Sequence, residues 1–380
     1  MSASANPDIV DDGLVFLYDT DDGKSYKGEP TTNVMADPLP TAGWGVSNYL
    51  SSTATRTYSS ENGIPHMEIT NVNVDGSYPR INMANLTSTI TDGFSISFEA
   101  KSSVADAQLY FALYSSGSTK TSQLATLSTE WQRFKFENLT TGFTLDDGYL
   151  RFPSSADSGT VYYIRRMQVE QKSHATPFVN GTRSATQGLI DRTGNTTIDL
   201  SNVSFDSNAQ MTAFDGTDDY ISLSQNVTVP AVGFTVMMAI NVNDSQSSSS
   251  WNYWFKQTAN DGHKYEFGCY GTNGNQFQFK DNIIGSSSVV ATLNSSEFTI
   301  LHFGSTSSSY SFYSKNGESK VLSNSSSGWT GGDDINFSEF FRTGSSYFGA
   351  KAINMLIYNK ELSQKEILQN FNATKSRFGL

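Results

Sequence analysis

Polar and apolar residues alternate one for one along several stretches of this chain, the pattern of strands with one buried face. Phe94, Ile96, Phe98 and Ala100 fall on one side of such a stretch, with Ser95, Ser97, Glu99 and Lys101 on the other. Trp131-Gln132-Arg133-Phe134-Lys135-Phe136-Glu137 repeats the pattern. Residues 159–170 continue it with a slip of phase at Arg165 and Arg166, which predicts a β-bulge. Phe234, Val236, Met238, Ile240 and Val242 share one face of a core strand, and Asn316-Gly317 between two strand-like runs signals a hairpin. The serine runs at 247–250 and 323–327 read as loops.

Only the end of the chain changes period. A strand up to Tyr358 is followed by Ser363 and Glu366 three apart, a capping box, with Ile367, Leu368 and Phe371 as the apolar stripe of a short helix. The predicted fold is all-β, two β-sandwich (jelly-roll) domains with one short C-terminal helix.

The wording of some segments is more specific than their pattern. The C-terminal strand and helix, running on into Asn370-Phe371-Asn372-Ala373-Thr374, resemble the close of laminin-G or concanavalin A-like domains in structural proteins of tailed bacteriophages, marine and cyanobacterial ones especially. Phe214-Asp215-Gly216-Thr217-Asp218-Asp219-Tyr220-Ile221 and Asp12-Gly13-Leu14-Val15-Phe16-Leu17-Tyr18-Asp19 are similar to other phrases of such domains. The middle of the chain, with its Trp-Gln-Arg strand and Tyr163-Ile164-Arg165-Arg166-Met167-Gln168-Val169-Glu170, resembles the jelly-roll carbohydrate-binding modules of bacterial glycanases. The resemblance implies three segments: 1–30 as an arm and strand belonging to the C-terminal sandwich, 31–182 as the module-like jelly roll, and 183–380 as the sandwich. A jelly roll inserted in a surface loop is tolerated because closure entropy grows slowly with loop length; a separate N-terminal docking arm is the alternative.

Composition narrows the function classes. Charged residues make up 16%, well under the average of about 25%, in a chain rich in Ser, Thr, Asn and Gly, which disfavours long helices. A net charge of −12 with 25 scattered basic residues argues against nucleic acid as partner. The single cysteine, Cys269, rules out an internal disulfide framework and reads as a buried filler. No basic-then-apolar leader and no apolar run near 18 residues is visible, so neither secretion signal nor membrane span is expected. Asn-x-Ser/Thr sequons such as Asn85-Leu86-Thr87 arise by chance in such a composition.

For chemistry, the expected pair of facing carboxylates, written Glu-x-Asp-x-x-Glu in sandwich glycanases, is missing. The Asp-Asp pairs adjoin turn residues, and His66, His174, His263 and His302 lack metal-ligand spacing. The chain is therefore read as no enzyme and as needing no cofactor. A structural calcium ion is the one metal weighed, on Asp19, Asp21 and Asp22, where hard oxygens alternate. Sugar binding would use exposed aromatics: Trp44, Tyr49 and Tyr78 in loops of the jelly roll, and Trp251, Tyr253, Trp254 and Trp329 in the sandwich, with Trp44 and Trp329 favoured because glycine and polar neighbours place them in loops. Trp131, heading an alternating strand, reads as core.

The resemblance implies a non-enzymatic bacteriophage virion protein, a head decoration or a tail- or fibre-associated component, adhering to host-surface glycans. It would be assembled in the bacterial cytoplasm, sit on the virion surface among other virion proteins, and act as a homotrimer. The alternative is an accessory glycan-binding component of a polysaccharide-degrading complex.

Overall fold

The computed structural model describes residues 9–36, 38–40, 55–70, 80–82, 86–115, 118–145, 147–153, 159–206, 211–242, 252–258, 264–270, 276–281, 287–293, 297–307, 310–324, 334–343 and 346–380. It is all-β with one α-helix, Gln364–Thr374, as the alternation predicts. The chain divides into two compact units, residues 1–30 with 184–380, and residues 31–183.

In the unit of residues 31–183, five antiparallel strands form one sheet in the order Thr55–Glu61, Ile64–Thr70, Tyr162–Glu170, Phe94–Ser102, Gln132–Leu139. Four more form a second, in the order Arg80–Asn82, Asp147–Arg151, Ala107–Ser115, Ser118–Leu127. Phe94, Ile96, Phe98 and Ala100 are all buried in the core cluster of this unit, together with Phe111, Leu113 and Leu150. The phase slip is a real bulge: pairing with Phe94–Ser102 shifts between Arg165 and Gln168, and Arg166 takes a φ of 49°. Thr31–Thr32 pairs with Thr182–Arg183, so the two ends of the unit leave side by side.

The other unit is built on Ala350–Tyr358. One edge of that strand pairs along its length with Thr235–Val242; the other pairs with Met211–Phe214 through Ala350 to Ala352 and with Leu14–Asp19 through Asn354 to Tyr358. The N-terminal strand therefore lies against the last strand of the chain. Asp191 pins the next turn to it, its Oδ1 accepting from the Leu17 and Thr193 amides and its Oδ2 from the Asn195 amide. Phe234, Val236, Met238, Ile240 and Val242 enter the main core, whereas Met237 and Ala239 face a second cluster containing Ile367 of the helix.

The helix carries its capping box: Ser363 Oγ accepts from the Glu366 amide, and Glu366 Oε2 accepts from the Ser363 amide. The stripe differs from the expected one. Ile367 is buried but Leu368 is 40% exposed, and Asn370 and Thr374 take up the inner face instead. Asn370 is inside because its amide is used, Oδ1 accepting from the Val10 amide and Nδ2 donating to the Tyr358 hydroxyl. Cys269 is buried, as read.

Trp254 needs correction as a sugar-contacting aromatic. It is fully buried in Asn252–Thr258, stacked on Phe340 at 5.3 Å and edge-on to Phe303 at 6.0 Å. An indole on an inward strand position packs as core.

Candidate functional site

On the five-stranded sheet of residues 31–183, every second side chain points away from the core. Much of this face is nevertheless covered. Around Ser95 and Ser97, residues 174–177 lie across it, with the His174 carbonyl accepting from Ser95 Oγ and the Thr176 carbonyl from Arg133 and Gln168. Glu170 is fully buried there and fully satisfied, accepting from Thr31 Oγ1, Thr176 Oγ1, Gln168 Nε2 and the Thr176 amide. Burial pulls the Arg133 guanidinium below its usual range.

Toward Lys101 and Tyr163 the same face stays partly open, and aromatic and charged groups converge there. Trp131 donates its indole N–H to Glu61 Oε2 at 2.9 Å, and Lys101 Nζ meets the same oxygen at 2.8 Å. The Arg165 guanidinium lies 3.9 Å from the centre of the Trp131 ring, and Lys101 Nζ lies 5.1 Å from it and 5.2 Å from that of Tyr163. His66 stands edge-on to Trp131 at 5.7 Å and 5.9 Å from Tyr163, its Nε2 3.2 Å from Glu68. Arg165 and Arg166 both bond Glu99, at 2.6 and 2.9 Å. Burial raises the Glu99 carboxyl, but the two arginines outweigh it and hold the group below its ordinary value. Hydrogen bonds from Lys101 and then Trp131 lower Glu61 likewise.

The register explains the convergence: Tyr163 pairs with Glu68 and Lys101, Arg165 with Glu99, and Glu99 with Arg133. Trp131 has the same parity as Arg133 and Lys135, so it belongs to the outer face while Phe134 and Phe136 pack on the core. That parity was the signal in the sequence; taking Trp131 as core is corrected by it. The result is a half-buried indole and phenol amid fixed carboxylates, ammonium and guanidinium groups, able to stack a flat apolar face and to exchange hydrogen bonds with hydroxyls.

Of the residues singled out for sugar contact, Trp44, Tyr49, Tyr78, Trp251 and Trp329 lie outside the described residues. At the calcium candidates, the charge is met by arginines: Arg377 pairs with Asp19 and lies 3.6 Å from Asp21, and Arg192 lies 3.9 Å from Asp22. Asp19 and Asp22 also accept from the amides of Asp21 and Lys24, the turn role read for acidic pairs. Among the described residues, Asp215, Asp218 and Asp219 bring three carboxylates within 4.8 Å of one another. No helix among the described residues is long and apolar enough to cross a membrane.

No family model and no curated protein matches the chain. Among solved structures it is similar to a sialidase of Trypanosoma rangeli in complex with sialic acid, at 11% identity and a TM-score of 0.39, over 90% of this chain and 57% of that one. It is also similar to the binding domain of Paraclostridial Mosquitocidal Protein 1, at 14% identity and a TM-score of 0.38 over 49% of each chain. A family 61 carbohydrate-binding module in complex with β-1,4-galactotriose matches at 11% identity and a TM-score of 0.27, over 36% of this chain and 97% of that one. The chain thus spans about half the length of the first two. At these scores the likenesses assign neither ligand nor reaction. The reading of the chain as no enzyme does not stand, and sialidases, which are enzymes, are among the structures it is similar to. Glycoside hydrolysis also runs with a tyrosine nucleophile, so a missing Glu-x-Asp-x-x-Glu phrase does not rule an enzyme out. Carbohydrate-binding modules are among the folds this chain is similar to.

Proposed function

We propose that the chain binds glycan through the open part of the five-stranded sheet in residues 31–183. The observation that carries this is Trp131, an indole left half-buried on an outward strand face and fixed by Glu61 and Arg165. Fixing costs the indole its freedom before any ligand arrives, so little ordering entropy remains to oppose stacking of a sugar ring. Glu61, Glu68 and Lys101, all partly exposed, then offer acceptors and donors at the rim.

The biological setting is proposed from the wording of the C-terminal helix and of residues 214–221. The chain is a component of a tailed-phage virion surface, a head decoration or a tail- or fibre-associated protein, assembled in the bacterial cytoplasm and adhering to host polysaccharide. A homotrimer suits this role, because weak sites held together gain effective concentration. The same site would also serve an accessory component of a polysaccharide-degrading complex.

Electrophoresis through gels containing host polysaccharide tests the binding. Wild type should be retarded, and Trp131→Ala and Glu61→Gln should run unretarded with unchanged circular dichroism. Retardation kept in both folded variants would remove this face as the site.

A further inference from the structure

A cavity of about 410 Å³ opens in the other unit, lined among others by Asn202, Asp218, Asp219, Tyr220, Arg342 and Tyr347. It shares no residue with the sheet face around Trp131. Its walls come from strand ends whose pairing holds them: Asn202 opposite Tyr220, where the register shifts, and Arg342 opposite Tyr347. The Arg342 guanidinium lies 3.5 Å from the centre of the Tyr220 ring and is gripped by Glu339 at 2.5 and 3.2 Å. Glu339 takes the Nε and one Nη of a group with five N–H donors and Tyr347 also hydrogen-bonds it, which still leaves donors for a ligand. Tyr347, partly exposed, lies 6.4 Å from Tyr220 with the rings tilted by 48°. Next in sequence to Arg342, Phe341 is buried and stacks on Phe214 at 3.8 Å, which anchors that strand end in the core.

We propose that this cavity binds a neutral sugar, about one hexose ring in size. Its volume sits at the small end of the roughly 300–1,000 Å³ typical of ligand sites, too small for a long oligosaccharide. Its rim is largely hydrogen-bonding, with the Asn202 amide and the Arg342 guanidinium beside the phenol ring of Tyr347, and Val203 adds an aliphatic side chain. Asp218, exposed, adds acceptors for hydroxyls, and together with the buried Asp219 it repels carboxylated sugars. Arg342 does not reverse this, because Glu339 already meets its charge.

Isothermal titration of the full chain with glucose, galactose, mannose and glucuronate decides the matter. A neutral hexose should bind saturably, with glucuronate weaker by about tenfold or more. Tyr347→Ala should abolish that binding while retardation by host polysaccharide persists, which separates this site from the one at Trp131. Three results would overturn the proposal: no saturable binding of any neutral hexose, glucuronate binding as tightly as the hexose, or hexose binding kept in full by a folded Tyr347→Ala variant, which would place the sugar elsewhere.

Discussion

His302 is fully buried opposite Met237, with neither ring nitrogen hydrogen-bonded within the described structure. Burial first, and the neighbouring Lys320 charge second, push it down from 6.5 to about 3. A depressed folded value means that the unfolded chain takes up the proton first. The stability is therefore complete above pH 6.5 and is lost as pH falls from 6.5 toward 3. By pH 5 the loss is about 2 kcal/mol. Urea titrations at pH 7.5 and 5 should show His302→Leu losing about that much less than wild type; equal losses would exonerate this histidine. Its burial was legible from Leu301 and Phe303 beside it, and its isolation was not, since partners depend on register. Trp131 and Trp254 make the same point from opposite sides. Heading an alternating strand pointed the wrong way for Trp131, and strand parity, available through Arg133, pointed the right way.

At the scale of elements, the helix was the most legible piece because its cap is a local bond between residues three apart. Ser363→Ala removes the acceptor of the Glu366 amide, and about 1 kcal/mol of stability should go with it. In a unit of this size that lowers Tm by roughly 2–4 °C, measurable by calorimetry. An unchanged Tm would mean the cap contributes nothing to the folded state. The Asn316-Gly317 turn was equally local: both residues take positive φ, 49° and 74°, and the Glu318 amide bonds the Lys315 carbonyl. What the sequence did not carry was the far side of Gly317, where an added Cβ would come within 2.6 Å of the Phe371 ring. Long-range packing of this kind, like the turn from Leu368 to Asn370 on the helix, depends on what lies opposite rather than on the segment itself.

On the scale of the molecule, each unit has its own apolar cluster and its own sheets. The residues flanking 31–183 are held near each other, since Thr31 pairs with Arg183 and the Lys27 amide bonds the Gly188 carbonyl. Replacing 31–183 by a short Gly-Ser linker should therefore leave a folded remainder with cooperative thermal unfolding. A shortened chain that shows no transition would mean that the remainder needs the other unit to fold. The all-β class was readable because period-two alternation is a property of single strands. The open face around Trp131 was not, because it arises from five strands and a crossing segment that meet only in the fold.

The N-terminal strand also sets a timetable. Thr20 bonds the Ile353 carbonyl, 333 positions later, so during synthesis at about 5–20 residues per second it waits roughly 20–70 s for its neighbour to be made. Residues 31–183 emerge well before that and have a complete core of their own. The strand Leu14–Asp19, with Phe16 and Tyr18 bare, meanwhile presents an unpaired edge to anything nearby. Such a chain tolerates slow release from the ribosome poorly, and crowding of nascent copies is the condition under which its yield should fall first.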